Sequence, residues 1–184
     1  MAVNGDGFTP WHSNSVADYY PHAGDPVTPN GTAASQGVLY AAGQESTLYL
    51  SAENVVSFTA PESVIYNAIS GDRMLIENGV LADDLDDVIA APRTAIGVDG
   101  SGQKLIIVVI DGRQPLYSQG ATLAELAKIM LYYGAETAMN LDGGGSSTLV
   151  VQGPHGPRLL NSPIDNHIPG RERAVGNHLG IFIP

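Results

Sequence analysis

Asn140 and Asp142 stand two positions apart, and glycines and hydroxyls follow them at once. The run is Ala138-Met139-Asn140-Leu141-Asp142-Gly143-Gly144-Gly145-Ser146-Ser147-Thr148-Leu149-Val150-Val151. Residues two apart on a strand point to the same side, so the carboxamide and the carboxylate face one way. Gly143, Gly144 and Gly145 let a ligand approach the main chain closely. Ser146 and Ser147 add hydroxyls. A carboxylate, a carboxamide, bare backbone and hydroxyls at one strand end suit a polar small molecule.

Simpler explanations fit less well. A Gly/Ser linker would run longer and would not join two apolar strands directly. A hairpin needs only a two-residue Asn-Gly or Asp-Gly turn. A dinucleotide fingerprint or a nucleophile elbow would need glycine where Thr148 stands, and a Walker loop would need a lysine. Ser146 and Ser147 therefore read as binding hydroxyls rather than nucleophiles. A second candidate lies at Asp111-Gly112-Arg113, a charged pair following the apolar run Leu105 to Ile110.

The elements that must position these residues follow from periodicity. Leu105 to Ile110 is apolar throughout, which predicts a central strand covered on both faces. Arg93–Val98 pairs with Lys104–Ile110 across Asp99-Gly100-Ser101-Gly102. Thr122 to Tyr133 is a helix, with Thr122 and Glu125 as a capping box and Gly134 as its stop. Its inward face is Leu123, Leu126, Ala127 and Met130. Strands are expected at Gly37–Ala41, Thr47–Ser51, Val55–Phe58, Val64–Ile69, Met74–Ile76 and Leu179–Ile183. Thr9 to Asn30 is a long proline-bearing loop with Trp11, His12, Tyr19, Tyr20 and His22, aromatics of the kind that flank sugars or pin a loop down. Asp83, Asp84, Asp86 and Asp87 read as a solvated helix start or loop, without EF-hand spacing. The expected fold class is α+β: a single domain, residues 1–184, with a mixed, mostly antiparallel sheet and one principal helix packed on it.

Composition narrows the function classes. The chain has 184 residues, is 43% hydrophobic and carries a net charge of −11. That field repels nucleic acid and anionic membranes, so an anionic substrate needs a local cationic pocket. With Cys 0 there is no thiol nucleophile or zinc–cysteine site. No apolar run is long enough to span a membrane as a helix, and Met1 to Gly5 is not a signal peptide.

Several stretches in order resemble the phosphodiester glycosidase family. They are Pro92-Arg93-Thr94-Ala95-Ile96-Gly97, Val109-Ile110-Asp111-Gly112-Arg113, the helix to Gly134, and the specific run Asn140 to Thr148. Asn4-Gly5-Asp6-Gly7-Phe8, Ile69-Ser70-Gly71-Asp72 and Arg173 to Gly180, with Asn177, are similar to further family segments. Members are usually secreted or held at the cell envelope. The family domain usually begins upstream of the segment matching Asn4, so N-terminal strands are expected to be missing and a sheet edge or apolar patch exposed.

The resemblance implies a glycan or small-molecule substrate joining an α-linked sugar, of N-acetylglucosamine type, through a phosphodiester to a second alcohol. Hydrolysis would release free sugar and a phosphomonoester. Arg93 and Arg113 suit two phosphate oxygens bidentately, the alternative being structural ion pairs. Asp111 and Asp142 are the candidate catalytic carboxylates, the alternative being turn caps. Asn4, Asn140, Ser146, Ser147 and Asn177 would hold sugar hydroxyls or phosphate oxygens, and Gly143 to Gly145 would offer an anion-binding nest. Asp6 and Asp72 are substitutes for either carboxylate. Spacing does not separate acid, base and nucleophile. Carboxylates and amides in this number also suit Ca²⁺ or Mg²⁺, whereas the histidines lack zinc spacing. A non-catalytic carbohydrate-binding or envelope-associated module would use the same loops.

Overall fold

The structure, a computed structural model, describes residues 1–15 and 18–182. Its regular structure is almost entirely strand. The α+β expectation is corrected: the only described α-helix is Leu123–Tyr132, ten residues long, and the strands form three antiparallel sheets plus small two-stranded pairs. The helix itself forms as its caps dictate, with Thr122 accepting from the Glu125 N–H and Glu125 reaching back. What fails is its rank as a principal layer, because glycine and proline turns cut the rest of the chain into short strands.

The first sheet has four strands, in the order Gly156–Leu159, Leu149–Gly153, Ala2–Asn4, His178–Gly180. The second runs Val38–Ala41, Ala33–Ser35, Asn67–Gly71, Ser46–Leu50, Val56–Ser57. The third runs Val80–Leu81, Arg73–Glu77, Thr137–Asn140, Arg93–Val98, Leu105–Ile110. The expected Leu179–Ile183 strand is found as His178–Gly180, and Ile183 lies outside the described residues. Val38, Leu39 and Tyr40 are exposed along the edge strand of the second sheet.

Leu105–Ile110 is therefore an edge strand, not the central one. Its continuous apolar sequence has another cause. Ile106, Val108 and Ile110 pack on one core, around Leu126, Met130 and Ala138. Leu105 and Ile107 pack on the other, around Leu48, Ile69, Ile96 and Met139. Burial of both faces makes a strand apolar throughout, whatever its lateral position. The central strand is Thr137–Asn140, whose Ala138 and Met139 alternate between the two cores. The third sheet is thus a middle layer between the helix and the second sheet.

Gly71 is the point where the chain passes from the second sheet to the third. A Cβ there would stand 2.0 Å from the Asn140 carbonyl oxygen. Asp72 and Arg73 follow, and Arg73 pairs in register with Asn140. This close approach sets Asp72 beside the Asn140 strand end. Gly71→Ala should lower unfolding stability by about 1–3 kcal/mol, the usual cost of overpacking, measurable by urea denaturation.

Candidate functional site

The three sheets meet around a cavity of about 470 Å³. Asp6, Glu45, Asp72 and Asp142 supply its acids, Arg93, Arg113 and Arg173 its cations, and Trp11, Asn30 and Asn140 further polar or aromatic surface. A second cavity, of about 530 Å³ beside Tyr49, Val55, Val64 and Tyr66, is mainly apolar and has no such grouping of charges.

Asp142 follows the central strand of the third sheet. Its backbone N–H donates to the Gly5 carbonyl at 2.9 Å, and its own carbonyl accepts from Asn4 Nδ2 at 2.7 Å. Burial holds its carboxyl above the usual carboxylate range; the Ser146 hydroxyl and then Arg173 pull the other way. Asn140 is buried, and its Nδ2 donates to Asp72 Oδ1 and to the Leu141 carbonyl, each at 2.7 Å. Asp6 is almost wholly buried, with Oδ2 accepting from the Gly31 N–H and its own N–H donating to Asn177 Oδ1.

The two arginines differ. Arg93 is largely spent on structure: Nε donates to the Ala121 carbonyl at 3.1 Å and Nη2 to the Ile89 carbonyl at 3.0 Å, with Asp86 at 4.0 Å. Burial lowers its pKa. Arg113 is exposed, and its guanidinium has no hydrogen-bond or ion-pair partner among the described residues. It sits at φ 56°, which turns it toward the glycine loop. There a Cβ on Gly144, itself at φ 60°, would lie 3.0 Å from Arg113 Nη1. Arg173 is held by Asp165, Nε to Oδ1 at 2.7 Å, and lies over the Trp11 ring at 4.9 Å.

Other expected ligands lie behind the cavity wall. Asp111 accepts from the Ser162 N–H, Asn161 Nδ2 and the Tyr117 hydroxyl, so both its oxygens hold the Asn161–Ser162 turn. Asn4 is buried, with Oδ1 accepting from the Thr94 hydroxyl at 2.8 Å and the Thr148 N–H at 3.2 Å. Asn177 clamps the Gly5–Asp6 backbone. Ser146 and Ser147 are fully buried, and their hydroxyls have no well-aligned partner among the described residues. Gly145 is crowded by Arg173 and Asp165, 2.6 and 2.7 Å from where a Cβ would stand. The expected glycine nest is closed in part, because Gly144 gives its N–H to the Pro92 carbonyl and Gly143 directs its own to the Asp142 carboxylate.

Glu45, Asn30 and Arg173 had not been singled out as ligands. Glu45 precedes a short strand as an ordinary surface acid would, and only the fold turns it inward. Among the described residues no group of three or more His, Asp or Glu side chains is arranged to hold a metal ion.

A family model described as phosphodiester glycosidase matches residues 1–182. Human N-acetylglucosamine-1-phosphodiester alpha-N-acetylglucosaminidase is 34% identical over 124 residues, which cover 58% of this chain and 23% of that protein. The SPbeta prophage-derived uncharacterized protein YomE of Bacillus subtilis (strain 168) is 40% identical over 93 residues, 50% of this chain and 13% of that protein. The chain thus spans less than a quarter of the length of either. The catalytic domain of the zebrafish N-acetylglucosamine-1-phosphodiester alpha-N-acetylglucosaminidase, auto-inhibited by its pro-peptide, shares the fold. It superposes with a TM-score of 0.64 at 24% identity over 95% of this chain and 59% of that one.

The hydrogen bonds of Asp111 give it a structural task that can be measured. Asp111→Ala leaves the Ser162 N–H without its acceptor and takes one of the two acceptors from the Asn161 amide, which keeps the Ser147 carbonyl. It should cost about 1–3 kcal/mol. Asp111→Asn keeps one acceptor and should cost less. Denaturant titration of the two variants checks the order.

Proposed function

The chain belongs to the phosphodiester glycosidase family, and from that premise we propose that it hydrolyses the sugar–phosphate bond of a sugar-1-phosphodiester. The products are a free sugar, of N-acetylglucosamine type by analogy with the relatives' names, and a phosphomonoester. The observation that carries the reading is the pairing, in one cavity, of an unengaged Arg113 with the half-buried carboxylate Asp142.

A diester carries one negative charge, and a guanidinium suits two of its oxygens. Arg113 takes that role, with Arg93 adding field from behind because its Nε and Nη2 are committed to carbonyls. Asp142 is the carboxylate for the anomeric carbon, where positive charge develops as the bond breaks. Its burial strengthens that interaction, and its main chain is tied to Gly5 and Asn4. The Trp11 ring, backed by Arg173, offers an aromatic face to a sugar ring. Attack at phosphorus by a side chain has little support. The chain contains no cysteine, and Ser146 and Ser147 lie under the cavity wall.

With a chromogenic N-acetylglucosamine-1-phosphodiester, the protein should show turnover. Asp142→Asn should lower kcat about a hundredfold or more while leaving binding largely intact, because it removes charge needed most in the transition state. Arg113→Ala should lower kcat/KM by about tenfold to a hundredfold, the worth of a lost hydrogen bond to a charged group. Glycan binding without turnover in the unaltered protein would instead favour a carbohydrate-binding module.

A further inference from the structure

The steps above leave three cavity acids unused; Asp72 accepts from Asn140 Nδ2, and the other two meet. Asp6 is 2% exposed, and its Oδ2 accepts the Gly31 N–H at 2.5 Å. Glu45 packs on the same residue: a Cβ on Gly31 would stand 3.0 Å from the Glu45 Cβ. The two side chains therefore meet at Gly31, whose own need for glycine comes first from Ser70, 2.3 Å from where a Cβ would stand. Asp6 Oδ1 and Glu45 Oε2 are both closed off from solvent, and neither has a donor among the described residues. An ionised carboxylate only accepts. Two buried acceptors side by side do not both stay ionised, and one proton between them satisfies both.

The surroundings point the same way. Burial first, then Asp6, then the charges of Asp72 and Asp142, push the Glu45 carboxyl up to about 7. Arg93, Arg113 and Arg173 are the cations on the same cavity. A neutral member among the acids also lowers the repulsion that an anionic diester would meet.

Resting on the sugar-phosphodiester reading, we propose that Asp6 and Glu45 hold one proton between them and that Glu45 delivers it to the bridging oxygen of the departing phosphate. The bond from the anomeric carbon to that oxygen breaks, and its electron pair stays on the phosphate. The proton from the pair forms the new O–H bond, leaving the pair fully ionised. A water oxygen then bonds to the anomeric carbon, and the proton that the water loses returns to the pair. A phosphomonoester's second ionisation lies at about 6. That is close to the pair, so the proton moves with little driving force either way, the condition under which general acid–base catalysis works best.

The test uses Glu45→Gln, Asp6→Asn and the unaltered protein. Infrared difference spectra should show a protonated carboxyl that titrates near pH 7, is absent in Glu45→Gln, and titrates at lower pH in Asp6→Asn. In turnover, the unaltered protein should lose rate as pH rises through the same region. Glu45→Gln should be slower by about a hundredfold and lack that alkaline limb. Its deficit should shrink along a series of diesters whose second alcohol is increasingly acidic, because a better leaving group needs the proton less. An equal deficit across the series with an unchanged pH profile would overturn proton delivery and leave Glu45 a structural role. No titrating carboxyl near neutrality would overturn the shared proton itself. If the unaltered protein turns over no diester, the sugar-phosphodiester reading fails and proton delivery with it, and the infrared titration then judges the pair independently.

Discussion

One buried carboxamide holds the site together. Asn4 closes the first strand and spends its side chain on three other segments: the Asp142 carbonyl, the Thr94 hydroxyl and the Thr148 N–H. These bonds tie the first sheet to the third and grip both ends of the glycine loop. An amide buried this deeply is costly to leave unsatisfied, so the loop has one low-energy position relative to both sheets. The chain beyond Asn4 is equally constrained. Gly5 lies so close to Asn177 Oδ1 that a Cβ would stand 2.2 Å away, and Asp6 is thereby aimed at Gly31 and Glu45. The second sheet joins through Gly71, where only glycine fits against Asn140, and through the Asp72–Asn140 bond.

Charge is organised against the trend of the whole chain. A net charge of −11 repels an anion from a distance. Close to the cavity the imbalance narrows, since three arginines line it beside four acids. Each is restrained differently: Arg93 by carbonyls, Arg173 by fully buried Asp165 and the Trp11 ring, Arg113 by backbone conformation alone. Arg171 also reaches Asp165, at 3.6 Å, and lies over Tyr19 at 4.9 Å. Two arginine–aromatic contacts rooted in one buried carboxylate thus hold the aromatic loop over the cavity rim. Arg113, the least restrained of the three, is the one best able to adjust to a phosphate.

Much of the site could be read from the chain, and the exceptions share a cause. Asn140 and Asp142 do face the same cavity, as their spacing implies, and the capping box does start the helix at Leu123. These are local relations, set within a few residues. The partition into three sheets was not legible, because it turns on whether Gly71 ends one strand or interrupts it, and only the approach of Asn140 decides that. The lateral place of Leu105–Ile110 was hidden too, since two cores make an edge strand look central. Asp111, Asn4 and Asn177 look like ligands because polar groups at strand ends serve substrate and backbone alike. The hydrogen-bond partners the structure shows for them lie up to 171 positions away in sequence. Glu45 carries no local signal at all.

The bond that breaks decides the chemistry of the cavity. In the proposed reaction Asp142 stands at the anomeric carbon and the phosphate leaves against Arg113, so water adds to the sugar. Hydrolysis of a sugar-1-phosphodiester in heavy-oxygen water, followed by mass analysis of both products, reads this directly. The heavy oxygen is expected in the released sugar, with none in the phosphomonoester. Label in the phosphomonoester, with an unlabelled sugar, would contradict water addition to the sugar and make the reaction an attack at phosphorus.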